Sequence, residues 1–257
     1  MNIKRVLIIL YNLLKLSFKL NLLKTFYFNF KVLPIKQAIK IPFHFYGKVS
    51  LVNLKGEFVI KSNKISFGMI VFGGNHEVVI TSNVPTRIYN TGRIEFEGKA
   101  VFARGNNIMV WNNGHLVFGD NFSIGSESKV ICFREIVFKK NVLISWESQF
   151  LDTDFHFIIS NEIIKDNCGS LLIEDNSWIG SRVTVLKNTV IPVNSIVASN
   201  AVCSGNYKVK IGDGSILAGV PATAIKSNVS YLINKKKEME FFDYFNINRG
   251  KDIKWGN

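Results

Sequence analysis

The chain has 257 residues, 47% hydrophobic and 20% charged, enough to bury a sizeable core in one large domain or a domain with appendages. Lys and Arg outnumber acids 32 to 19, and the net charge of +13 attracts polyanions: nucleic acid, anionic lipid or phosphate-bearing small molecules. No Arg-rich tract or zinc-finger spacing argues for nucleic acid, and three distant cysteines (Cys132, Cys168, Cys203) without a CxxC pair fit a reducing cytoplasm rather than a disulfide framework.

The first predicted element spans 1–46, a helical, amphipathic segment. "MNIKRVLIILYNLLKLSFKLNLLKTFYFNF" is rich in Leu, Ile and Phe and carries Lys and Arg but no acid. Its charge-free run from Val6 to Leu14 is too short to cross a bilayer. Lys4, Arg5, Asn12, Lys15 and Lys19 share one face at helical spacing. The opening also resembles a signal peptide, but no small-residue cleavage site follows the apolar run. Two readings stand side by side for residues 1–30: a helix lying on an anionic membrane surface, or one packed against the protein's own body or a neighbouring subunit.

Pro34 and Pro42 mark the exit, and from 47 to 226 the texture is short alternating runs broken by Gly and Asn, which predicts strands and turns. A period of six then governs the chain. Phe118, Ile124, Val130, Ile136 and Val142 hold one phase, and Ile173, Ile179, Val185, Ile191, Val197 and Cys203 hold another. In the second run Ser177, Val183, Thr189, Ser195 and Ala201 follow four residues behind. Six is neither a helix period nor a lone-strand period. It predicts a parallel β-helix in which each hexad makes one flat side and a corner, with the aliphatic residue and the small one both inward. Ile211 and Leu217 restart the period. The segment 227–257 begins as an amphipathic helix, expected to cover the open edge of the last coil.

The phase breaks once, at 148–171, and such a break is where function is expected. Inside it lies "LDTDFHFI". Extended backbone would put Asp152, Asp154 and His156 on one face, with a carboxylate fixing the imidazole as a general base. The four histidines (His44, His76, His115, His156) are too widely spaced for a metal site, so none is expected.

The run "WIGSRVTVLKNTVIPVNSIVASNAV", the later "ILAGVPATAI" and the upstream "DTDFH" together resemble the hexapeptide-repeat acyltransferases. More narrowly, the chain is similar to O-acetyltransferases of bacterial capsule and O-antigen synthesis. The resemblance covers about 115–226. It implies a left-handed parallel β-helix, a homotrimer, and acetyl-CoA lying between coils of adjacent subunits. It implies His156 as catalytic base with Asp154 beside it. It implies Trp178, Gly180 and Ser181 along the pantetheine arm, Ser199 and Ser204 toward the pantetheine and nucleotide end, and Gly219–Ala222 beside the adenine. The Lys or Arg that many relatives carry after this loop is Thr223 here, leaving Lys226, Lys208 or Lys210 for the phosphates.

The expected activity is transfer of acetyl from acetyl-CoA to a sugar hydroxyl of a surface polysaccharide. The expected place is the cytoplasm, at the inner face of the membrane under the reading in which 1–30 lies on lipid. The acceptor is a sugar or lipid-linked glycan. The alternatives are N-acetylation of a nucleotide-linked amino sugar and a non-catalytic β-helical scaffold.

Overall fold

The computed structural model describes residues 20–74 and 82–254. The basic face of Lys4, Arg5, Asn12, Lys15 and Lys19, together with His76, lies outside the described residues.

The strands stack into three parallel sheets that form the sides of a prism. The first side runs from Phe43–Phe45 through Leu143–Ile144, Trp178–Ile179 and Ile196–Val197 to Ile216–Gly219. The second runs from Val49–Leu54 through Gln149–Leu151 and Thr184–Leu186 to Val202–Cys203. The third runs from Glu57–Ile60 to Val190–Ile191. Every predicted hexad residue from Phe118 to Val142 and from Ile173 to Cys203 is buried, and so are the small residues Ser177, Val183, Thr189, Ser195 and Ala201.

Strict 18-residue coils are confined to the stretch after Ile173, where Val185 pairs with Cys203. Earlier coils are longer because strands of the third side bury two residues each: Ile94 and Phe96, Leu116 and Phe118, Ile136 and Phe138. The second of each pair is Phe, and the rings of Phe96, Phe118 and Phe138 stack at 5.3 and 5.6 Å down the axis. The wide coils are thus filled by aromatic volume, and the narrow ones by Ile, Val and Cys.

The corners turn through left-handed backbone. Asn176, Arg182, Asn188, Asn194 and Asn200 have φ between 57° and 63° at six-residue intervals. Asn tolerates this region better than other side chains. At the corner leading into the first side, the side-chain amides of Asn121, Asn141, Asn176 and Asn194 bond to one another in series at 2.8–3.1 Å.

The N-terminal end is sealed by the helix Leu22–Val32. Phe28 packs edge-on against Phe43, Phe45 and Phe58. Asn29 Nδ2 donates to Phe43 O and its Oδ1 accepts from Phe43 N, while Thr25 Oγ1 accepts from Phe45 N. These side chains satisfy the otherwise open edge of the first strand.

The C-terminal end departs from expectation. Strand Ala222–Lys226 pairs antiparallel with Ile216–Gly219, and the short helix Tyr207–Ile211 covers the other sides, its Tyr207 Oη donating to Ala222 O. Ile211 therefore ends a helix rather than filling a hexad slot, whereas Leu217 is buried. The helix Lys235–Ile247 buries none of its residues, so it does not cover the last coil. The segment before it folds back along the first side, where Tyr231 Oη donates to Asn141 O. Among the described residues, no helix is long and apolar enough to cross a membrane.

Candidate active site

Phe150 and Val185 are neighbours on adjacent coils although 35 residues separate them, because the chain leaves the prism between Asp152 and Gly169. At the neck of this excursion Asp154 N donates to Asn167 O, and Gly169 N to Asp152 O. Beyond the neck a hairpin, Ile158–Ser160 with Ile163–Lys165, turns through Asn161 and Glu162, both at positive φ.

The three residues expected on one face are separated. Asp152 is fully buried, its carboxylate accepting from the backbone N–H groups of Phe133, Arg134 and Glu135 at 2.8–2.9 Å. Burial pushes its pKa up, against the pull of those three donors. It anchors a corner. Asp154 bonds to Lys187 Nζ at 2.6 Å. His156 is exposed, and its ring has no hydrogen-bond partner among the described residues. The cause is local: Phe155 sits at φ 59° and its N–H bonds to Thr153 Oγ1, so the backbone turns instead of staying extended. Alternation fails at that residue.

Two cations missed in the sequence hold the neck. Lys187 Nζ also donates to Asp166 O at 2.8 Å. Arg134 pairs with Asp166 at 2.7 Å and donates to Cys168 O from a coil on the other side. The signal was the coil register: Leu151 lies opposite Leu186, so the residues following each, Asp152 and Lys187, leave the second side at one corner.

A second group of expected residues does come together, at the corner between the first and second sides. Trp178, partly exposed, donates from Nε1 to Ser145 Oγ at 3.3 Å. Ser181 Oγ lies 3.1 Å from Ser199 Oγ, and Ser181 N donates to Ser199 Oγ at 3.2 Å. Gly180 is needed here: a Cβ would meet Ser199 N at 2.7 Å and Val197 O at 2.8 Å. Gly219 and Val220 continue the column one coil on, since Ala198 N donates to Leu217 O. The corner is a strip of hydroxyls and small residues beside the Trp178 ring, suited to a thin, amide-bearing arm.

Ser204 and Lys226 fall elsewhere. Ser204 follows Val202–Cys203, at the far end of the second side from Ser199. Lys226 pairs with Ile216, at the end of the first side away from Gly219. Lys208 is bound to Glu174 at 2.5 Å, and Lys210 lies 5.7 Å from the Tyr207 ring. A cavity of about 250 Å³ lies under the folded-back segment, between Trp178, Leu143 and Tyr231, and not beside His156. Among the described residues no cluster of His, Cys, Asp and Glu is arranged to hold a metal.

His156 and the hydroxyl corner stand at opposite ends of the second side. Ser181 precedes the strand Thr184–Leu186, and Lys187, which holds Asp154, follows it.

No model of a protein family matches the chain. A Klebsiella pneumoniae protein described as an uncharacterized 24.8 kDa protein in the cps region is 30% identical over 184 residues, covering 72% of this chain and 78% of that protein. WbbJ of Escherichia coli K12, named for O-acetyl transfer in lipopolysaccharide biosynthesis, is 26% identical over 154 residues, covering 55% of this chain and 76% of its own. The crystal structure of NeuO, a polySia-specific acetyltransferase, superposes with a TM-score of 0.55 at 15% identity, covering 80% of this chain and 98% of the other. That likeness shows the fold, a left-handed parallel β-helix.

Proposed function

From membership of the hexapeptide-repeat acyltransferase family, to which this chain belongs, we propose that it is an O-acetyltransferase acting on bacterial surface polysaccharide, O-antigen or capsule. It moves acetyl from acetyl-CoA to a sugar hydroxyl. The observation that carries this reading is His156: an imidazole with open nitrogens, on a neck clamped by Lys187 and Arg134, where the long excursion leaves the coils. The name of WbbJ, which gives O-acetyl transfer in lipopolysaccharide biosynthesis, supports the polysaccharide acceptor.

His156 removes the acceptor hydroxyl proton as that oxygen attacks the thioester carbonyl. A C–O bond forms, the C–S bond breaks, and the imidazolium returns its proton to the leaving thiolate. A backbone N–H at a coil corner steadies the oxyanion, a contribution of about 3 kcal/mol for one donor. No protein nucleophile takes part. Cys203 is sealed in the core, where burial pushes its thiol up to about 12.

The donor lies along Trp178, Gly180, Ser181 and Ser199. Because that corner and His156 are at opposite ends of one side, the site is completed between subunits of a homotrimer. The hairpin supports this. Phe157, Ile159, Ile163 and Ile164 are each at least 65% exposed on a two-stranded ribbon, which is marginal alone and calls for cover by a neighbour. The reaction belongs in the cytoplasm, where the donor is made.

The test is CoA release from acetyl-CoA by wild type and His156→Ala, with surface glycans of varied sugar content as acceptors. Wild type releases CoA only with a suitable glycan. His156→Ala binds CoA equally in calorimetry and turns over at least about 100-fold more slowly. Absence of CoA binding in wild type overturns the reading.

A further inference from the structure

The helix that seals the N-terminal end has a second face. Thr25, Phe28 and Asn29 are buried against the first coil and bonded to its backbone, so the helix cannot roll. Leu22, Phe26 and Phe30, one helical turn apart, and Leu23 and Tyr27 beside them, are between 47% and 85% exposed. Ile35 of the following short helix, Ile35–Ala38, and Ile39 just after it extend the patch at 64% and 63%. Exposed Lys31, Lys36 and Lys40 accompany it. The first acid in the chain is Glu57, after ten Lys and Arg.

An apolar aromatic stripe bordered by lysines, on two helices that carry no acid, is complementary to one kind of surface: an anionic lipid bilayer, with rings at the acyl boundary and ammonium groups among the headgroups. A second copy of the same end would bring the lysines of both copies together without an acid between them. We propose that the N-terminal end of the solenoid docks on an anionic membrane surface through the exposed face of the helix Leu22–Val32.

The docking has a consequence for the acceptor, which rests on the reading of His156 as the base. The excursion that carries His156 leaves the fifth coil, four steps from the first, and at about 4.8 Å per step that coil lies roughly 19 Å beyond the first coil, with the docking helix below it again. A lipid-linked glycan several sugars long reaches that height, whereas a sugar next to its lipid pyrophosphate does not.

The experiment is co-sedimentation of the full chain with vesicles of phosphatidylcholine alone or with 30% phosphatidylglycerol. Wild type binds the anionic vesicles at least tenfold more tightly than the neutral ones, and salt weakens the binding. The exposed-site variant Leu23→Ser/Phe26→Ser/Phe30→Ser loses at least tenfold while keeping wild-type thermal stability and CoA release on soluble glycan. Undiminished binding by the variant, equal binding to both vesicle types, or a change of oligomeric state in the variant overturns the proposal. Vesicle binding is read without turnover, so it stands or falls separately from the acetyl transfer.

Discussion

Three acidic side chains show how differently one chemical group is used. Asp152 is spent on a corner, Asp154 on a lysine, and Glu95 on a charge cluster of the third side. Glu95 is almost fully buried on the outward side of its strand, covered by its own partners Lys61, Arg93 and His115, each within 2.8 Å. Burial alone would raise its pKa. The hydrogen bonds from Lys61, Arg93 and His115 outweigh that and hold it at about 2, below the ordinary 4.5. The sign follows from proton counting. As pH falls below 4.5 the unfolded chain binds the proton first, so stability is lost progressively down to about 2 and is complete above 4.5. The full contribution is about 2–3 kcal/mol, the lower end allowing for screening of the exposed partners. Denaturant unfolding of wild type and Glu95→Gln should show the largest gap near pH 7 and a shrinking gap toward pH 3. A gap that stays constant with pH would assign the loss to packing.

At the scale of the element, the coil corner does the specifying. Asn200 is exposed at φ 63°, and among the described residues its side chain makes no hydrogen bond that explains its identity, so backbone conformation does. Asn200→Ala should cost about 1 kcal/mol and Asn200→Gly much less, in equilibrium unfolding. Equal losses would mean that the Asn side chain contributes by contacts. The same corners mark the limit of what was legible. The hexad of apolar and small residues made the β-helix legible from Ile173 to Cys203, because two residues in six must face inward. An Asn phase at 176, 188, 194 and 200 in the same stretch carries no signal by itself, since Asn is common in turns of every kind. The His156 motif was legible, and its geometry was not. Extended alternation predicted a face shared with Asp152 and Asp154, and a single left-handed Phe155 abolished it. Lys187 and Arg134 were invisible because they meet the neck only through coil register. The terminal helix misled for a related reason: an amphipathic pattern shows that a face wants cover, not which surface provides it.

The whole molecule poses the sharpest test. Trp178, Gly180, Ser181 and Ser199 line one end of the second side and His156 stands beyond the other, a strand apart in the same chain. A chain with a defective base and a chain with a blocked corner should therefore repair each other if the site is shared. Ser199 is exposed, so Ser199→Tyr fills the corner without disturbing the core. Homo-oligomers of Ser199→Tyr or of His156→Ala should each be inactive. When the two chains are co-expressed in equal amounts, an interface works only where a His156→Ala chain supplies the corner and a Ser199→Tyr chain supplies the base. Random assembly of a closed ring makes that about one interface in four, so the mixture should recover roughly a quarter of wild-type CoA release. Recovery near zero, with mixed oligomers confirmed by mass, would place base and donor corner in one chain and remove the reason for the trimer. Recovery near a quarter would make the hairpin arm and the hydroxyl corner two halves of one site, held apart in each subunit by the width of a prism side and joined only by assembly.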